Sequence, residues 1–350
     1  MLPDVVALGE SFIQFNALTR GPLRHVTLFE RHVAGAETTV AVCVRRQVLT
    51  SGLITRVVDD DEFGKCIISW VWGEGVDDSQ IRIDPEAPTG IYFVQRGFPI
   101  PSKSRMVYYR HGSVGSRLSP SDVDPQYLGA AKIFHTTGIT PALSETALAA
   151  TRKAVETAAA NDVLISFDTN IRPVLWKSLD KAVDTLLPII GKVDILFTDP
   201  TDASLLLGVN SVDEMLKGFL GLGVDTVILK MGEHGAIAAT SSERASANAM
   251  PVYVEDPIGA GDAFAGTFIA SRLKGRSLNE SLVRAVIAGS LVVTVRGDEE
   301  ALPSEVEKFL LPLLPYGFSD DHFPMAGTIS KGAENPKSSH QGCHPQPQEI

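Results

Sequence analysis

The chain has 350 residues, enough for one large domain or two, with a net charge of −11 and 44% hydrophobic residues. That acidic balance excludes nucleic acid and anionic membrane as main partners. It still admits an anionic small substrate, because a few arginines can reverse the field inside a cleft. Cys43, Cys66 and Cys343 are the only cysteines and form no CxxC, so neither a zinc ribbon nor a disulfide framework is expected. The N-terminus lacks a basic region followed by an apolar run, and no stretch approaches about 18 consecutive apolar residues. Neither a signal peptide nor a membrane span is expected, and the expected compartment is the cytoplasm.

Short β-rich apolar runs recur at 4–9, 52–57, 131–136, 162–168, 193–199 and 224–230. They are continuous rather than alternating, which suits parallel strands covered on both faces. Helix-like stretches such as 145–160 lie between them. Ser211 with Glu214, Ser277 with Glu280, and Ser304 with Glu307 each fit a capping box, and Gly275 fits a helix C-terminus. The alternation predicts an α/β fold with a doubly wound, mostly parallel sheet.

Two segments break the rhythm. Residues 11–33 and 89–110 read as strand pairs with long turns, and are assigned to a small separate β-sheet. Tyr108 and Arg110, two apart, share a face there. A face with aromatic and cationic groups suits a cover over a site; a solvated hairpin is the alternative. Residues 313–350, rich in Pro, Gly and Ser, are expected to form a disordered tail beyond a domain of residues 1–312. His340, Cys343 and His344 in that tail are not expected to bind metal.

In open α/β sheets, ligands bind beyond the carboxyl ends of the strands. After 162–168 come Asp168, Asn170 and Arg172, alternating so that all three can face one way. After 193–199 come Asp199 and Asp202. After 224–230 comes a turn from Lys230 punctuated by Gly232 and Gly235. After "VYVE" comes "DPIGAGD" (256–262). Gly259 and Gly261 permit unusual backbone angles and close approach of a ligand. Amides of Gly259, Ala260, Gly261 and Asp262 would sit unpaired at the positive end of a new helix, forming an anion hole suited to phosphate. Asp262 beside it can take a proton from a hydroxyl, which together describes phosphoryl transfer. The alternative for Asp262 is a plain acidic residue at a helix N-terminus. No GxxxxGK[ST] occurs, and no GxGxxG follows the first strand, which has only Gly9.

"DPIGAGDAF" resembles the C-terminal motif of the ribokinase-like (PfkB) carbohydrate kinases. "HVAGAET" (32–38), "PTGIYFVQR" (88–96), "VYYRHGSVGSRLSP" (107–120), "FDTNIRPVLW" (167–176), "LKMGEHGAIA" (229–238) and "VRGDEEALP" (295–303) resemble the 2-keto-3-deoxygluconate kinases within that family, with most likeness to the archaeal type, which also accepts the galactonate epimer. The resemblance spans about residues 4–312. It implies ATP and Mg²⁺ as cofactors, with Mg²⁺ held largely by phosphates and water and no metal ligands in the protein. It implies that Asp262 is the base for the 6-hydroxyl, with Gly259, Ala260 and Gly261 lining the anion hole. Gly35, Tyr92, Tyr108, Tyr109, Arg110, Arg172 and Asp298 would hold the keto-acid, the arginines pairing its carboxylate. Asp168, Asn170, Arg172, Lys230, Gly232 and Gly235 would serve the nucleotide. The strand pairs, about 11–33 and 89–112, match the family's β lid, which implies a homo-oligomer joined through the lid. Thr39 stands where the family often has Asn, which implies a lost or altered substrate hydrogen bond. Another ribokinase-like sugar kinase, for ribose or fructose, and a non-catalytic sugar-acid-binding homologue are the alternative readings.

Overall fold

The structure is a computed structural model and describes residues 2–100 and 104–304. The expected tail, with His340, Cys343 and His344, lies outside the described residues, as does Glu307 of one expected capping box. Thirteen strands occur among the described residues: β1 (Val5–Leu8), β2 (Phe12–Ala17), β3 (Phe29–Ala34), β4 (Ser51–Val57), β5 (Ile81–Ile83), β6 (Ile91–Arg96), β7 (Ser104–Tyr109), β8 (Ile133–Thr137), β9 (Leu164–Asp168), β10 (Ile195–Thr198), β11 (Thr226–Lys230), β12 (Ala236–Ala239) and β13 (Arg244–Ala247). Nine form one sheet in the order β13-β12-β11-β10-β9-β8-β1-β4-β5. It is parallel from β5 to β11, and β12 and β13 close one edge antiparallel.

The continuous apolar runs are explained by cover on both faces. Val6 and Leu8 of β1 pack with helices Glu145–Ala160 and Leu179–Ile190. Val5 packs on the opposite side with helices Ala36–Arg46 and Ala260–Leu273. Successive strand residues point to opposite faces, so a doubly covered strand has no solvent-facing position to fill with a polar residue. The capping boxes at Ser211/Glu214 and Ser277/Glu280 are formed. Gly275 follows the end of helix Ala260–Leu273 with φ +75°, as a helix-terminating glycine should.

The two irregular segments build the separate four-stranded sheet, in the order β3-β2-β6-β7. The β2–β6 pair is parallel and the outer pairs are antiparallel. Register places His32, Gln14, Tyr92 and Tyr108 side by side in one cross-strand row. Phe12, Tyr92 and Val94 cluster with Tyr108 and Ile258, next to the glycine turn of the large sheet's last helices. On the opposite face Ile13 and Phe15 pack with helix Glu62–Gly73, Phe15 meeting Phe63 edge-on at 5.6 Å. One face of the small sheet is thereby presented to the carboxyl ends of the parallel strands.

Candidate active site

A cavity of about 330 Å³ opens between the small sheet and those strand ends. Its floor comes from four chain segments that sequence spacing had already set apart. Asp168, Asn170 and Arg172 follow β9 and all line the cavity, Asn170 at φ +33°. Asp199 follows β10, where its carboxylate accepts from the amides of Thr201 at 2.7 Å and Asp202 at 2.9 Å. Lys230 ends β11 and contacts Asp168 Oδ2 through Nζ. Gly259, Gly261 and Asp262 open helix Ala260–Leu273 on the same cavity.

The glycine turn has a steric reason. Gly259 has φ +78°, and a Cβ there would lie 2.6 Å from the Asp298 carbonyl oxygen. Only glycine satisfies both constraints, so the Asp298 segment can close directly over the helix start. A Cβ on Gly261 would stand 3.3 Å from Lys230 Nζ, so the first-turn amides and this ammonium lie together. The helix dipole and a cation thus act on the same space.

Asp262 keeps part of its surface open to the cavity. Desolvation, then the nearby Asp168 carboxylate, push its carboxyl up to about 7, against the pull of Lys230 and Arg172. Asp298 is buried, and burial followed by Asp262 holds its carboxyl well above the usual range. Its Oδ1 accepts from Gln14 Nε2 at 2.7 Å and from the Tyr92 hydroxyl at 3.3 Å. Tyr92 packs on Phe12 at 5.1 Å and on Tyr108 at 5.5 Å, and all three line the cavity. The Arg172 side chain makes no hydrogen bond or ion pair among the described residues, so a guanidinium stands uncommitted in the wall. Gly35, at φ +143°, lines the cavity where a Cβ would strike the Glu10 carbonyl at 2.4 Å.

Some expected positions land elsewhere. Tyr109 is 63% exposed and meets Phe93 edge-on, because strand alternation turns it away from its neighbour Tyr108. Gly232 and Gly235 do not line the cavity; they shape the turn into β12, where a Cβ on Gly235 would lie 1.9 Å from the Ala247 carbonyl. Ala260 is the first residue of the helix but is not part of the wall. Thr39 points into the core and donates to Glu299 Oε1 at 3.3 Å, beside the Trp70 indole on the same carboxylate. Arg110 lines the cavity, yet its guanidinium is already paired with Glu10.

Other wall residues carry little local signal. Glu10 and Glu37 are buried carboxylates in the wall. Glu37 accepts from the Thr137 amide and from the hydroxyls of Thr137 and Thr140, the latter two at 2.7 Å, and burial raises its pKa. Gly9 makes room for it, since a Cβ there would stand 2.2 Å from Glu37 Cδ. The glycine after the first strand was the available signal, and its use is to admit a carboxylate.

The model of the pfkB family carbohydrate kinases matches residues 2–305. A 2-dehydro-3-deoxygluconokinase of Thermoproteus tenax is 48% identical over 313 residues, covering 89% of this chain and 95% of the relative. A 2-dehydro-3-deoxygluconokinase of Bacillus subtilis (strain 168) is 33% identical over 306 residues, covering 86% of this chain and 93% of the relative. Among solved structures, a putative ribokinase II from E. coli in complex with ATP and Mg²⁺ superposes with a TM-score of 0.79 at 30% identity, covering 86% of this chain and 96% of that one. With its ribokinase-like sheet, its smaller covering sheet and its glycine turn at Asp262, the chain belongs to the pfkB family of carbohydrate kinases.

Proposed function

We propose that the protein transfers the γ-phosphoryl group of ATP to the 6-hydroxyl of 2-keto-3-deoxygluconate, with or without the galactonate epimer as a second acceptor. The observation that carries this reading is Asp262, raised to about 7 at the mouth of a helix N-terminus, in one cavity with the uncommitted guanidinium of Arg172. A carboxylate of that pKa is matched to taking a hydroxyl proton near neutral pH. The amides from Gly259 to Asp262 and the Lys230 ammonium suit the phosphates, where positioning and electrostatic stabilisation carry the catalysis. Asp168 contacts that ammonium, and Asn170 lines the same cavity. The buried Asp298, whose carboxyl burial holds well above the usual range, and the faces of Phe12, Tyr92 and Tyr108 suit the sugar chain.

Arg172 suits the keto-acid carboxylate, because an unpaired guanidinium facing a cavity favours a bidentate anion. A neutral sugar has no group for it. Mg²⁺ would enter with the nucleotide on phosphate oxygens and water. The wall carboxylates fit that role through water, because Asp168 is committed to Lys230 and Asp199 to a helix start. When bound, the ion neutralises charge on the phosphoryl group in transfer. Among the described residues no helix is long and apolar enough to cross a membrane.

On this reading residues 1–312 form one kinase domain, which the family match over 2–305 supports, with a lid at about 11–33 and 89–112. Pairing of two chains through the lid is supported by an aromatic cluster in which Phe93 stacks on Phe15 at 5.3 Å and meets Phe29 and the exposed Tyr109 edge-on. The test is a coupled ADP-release assay with ATP and Mg²⁺ on the two keto-deoxy acids, ribose and fructose. Turnover confined to the acids supports the reading; turnover on ribose or fructose alone removes the carboxylate argument and leaves a neutral-sugar kinase.

A further inference from the structure

Arg110 and Glu10 form a unit that the transfer reaction itself does not require. Glu10 is 2% exposed and Arg110 is 6% exposed. Glu10 Oε2 accepts from both Nε and Nη2 of Arg110, the Nε contact at 2.8 Å, and Oε1 accepts from the Ser113 hydroxyl. Two glycines exist to admit this carboxylate. A Cβ on Gly115 would lie 2.2 Å from Glu10 Cγ, and one on Gly90 would lie 2.7 Å from Glu10 Oε1. The guanidinium carbon lies 4.5 Å from the centroid of the Phe12 ring and 5.6 Å from that of Tyr108. Carboxylate, hydroxyl and two rings therefore fix one cation in plane and in tilt. Nη1 is the guanidinium nitrogen with no partner among the described residues, and it belongs to a side chain that lines the cavity.

We propose that Glu10 is a positioning residue, which locks the Arg110 guanidinium so that its Nη1 edge meets the carboxylate of the acid substrate beside Arg172. This inference rests on the keto-acid reading. Glu10 acts through Arg110 and not on the reacting atoms. Its effect therefore belongs to substrate binding and not to the transfer step. The charge of Glu10 and its position make separate predictions. Glu10→Asp keeps the charge but draws the carboxylate back by one methylene, so only the orientation of Arg110 is disturbed.

The test is a double-mutant cycle of Glu10→Asp and Arg110→Ala, read as KM for 2-keto-3-deoxygluconate, KM for ATP and kcat. The expected result for Glu10→Asp is a KM for the acid about tenfold higher, the loss of roughly one charge-assisted hydrogen bond. KM for ATP and kcat stay within about twofold, and the same change has no further effect once Arg110 is alanine. Ser113→Ala, which frees the other Glu10 oxygen, shifts the KM for the acid the same way by a smaller factor and serves where Glu10→Asp fails to fold. An unchanged KM for the acid in both variants, with wild-type turnover intact, overturns the positioning role and leaves the keto-acid reading standing. A Glu10→Asp effect that persists in the Arg110→Ala background, or that lowers kcat and raises KM for ATP alike, assigns Glu10 to general structure and also overturns it. A wild-type enzyme that phosphorylates only neutral sugars overturns both inferences, a result distinct from the other two.

Discussion

Gln14 in the small sheet donates through Nε2 to Asp298 Oδ1 at 2.7 Å, a contact between residues 284 apart in sequence. The row in which Gln14 sits extends this contact. His32, beside it on β3, is paired with Glu300, and Tyr92, beside it on β6, donates to Asp298. The small sheet is thus tied to the segment that closes over Gly259. Gln14→Leu leaves the buried Asp298 without its nearer donor. The expected result is a KM for the sugar acid raised about fivefold to twentyfold, the cost of one unsatisfied buried group. Steady-state kinetics measure it, and an unchanged KM means that the row does not shape the sugar site.

Asp262→Asn removes the proton acceptor while nearly preserving volume. The expected loss in kcat is about 10²-fold to 10⁴-fold, the usual worth of a positioned general base. In the wild type the active form is the carboxylate, and its pKa is raised to about 7. Activity should therefore rise with pH up to a midpoint near 7 and level off above it. A profile flat from about pH 5 to pH 9 contradicts the assignment of Asp262 as a base with this pKa.

Buried acids also set a pH dependence of stability. Glu299 is fully buried, and burial, opposed by the Trp70 indole, pushes its carboxyl up to about 8. A carboxyl raised in the folded chain favours folding most when protonated. Its contribution is full below the unfolded value of 4.5 and is lost as pH climbs through about 8. Glu299→Gln should flatten the fall in Tm between about pH 5 and pH 9 and raise Tm at about pH 9 by a few degrees. Calorimetry at the two ends of that range checks it, and a variant less stable than wild type at about pH 9 would show that the Trp70 and Thr39 contacts need the charge.

Gly259→Ala places a methyl group at φ +78° and against the Asp298 backbone. Strain of about 1–3 kcal/mol is expected from the backbone alone. The predicted outcome is a lower Tm together with a drop in kcat at least tenfold, because the helix start and the Asp298 segment must separate. Gly261→Ala meets only the end of the flexible Lys230 side chain. It should cost less Tm, which makes the pair an internal comparison.

The parallel core was legible because β1, β4, β8, β9, β10 and β11 are buried on both faces over most of their length, which writes an apolar run into the chain, whereas the short edge strand β5, with Arg82 and Ile83 exposed, carries no such run. Asp168, Asn170, Arg172, Lys230 and Asp262 were legible because strand ends were followed by polar groups and a glycine turn. Glu10, Phe12 and Glu37 were not, since what fixes them is Arg110, Tyr92 and Thr137, all far along the chain. Thr39, where the resemblance implied a lost or altered substrate hydrogen bond, donates to Glu299, a partner 260 residues away that nothing local announces. Tyr109 shares a motif with Tyr108, and strand alternation separates them. The double commitment of Glu10 to Arg110 and Ser113 has no local signature, apart from the two glycines that make space for it.

The most direct measurement is ADP release from ATP and 2-keto-3-deoxygluconate by the wild-type protein beside Asp262→Asn. The account predicts turnover by the wild type and a loss of at least about a hundredfold in kcat for the variant. No turnover by the wild type, or equal turnover by both, would contradict it.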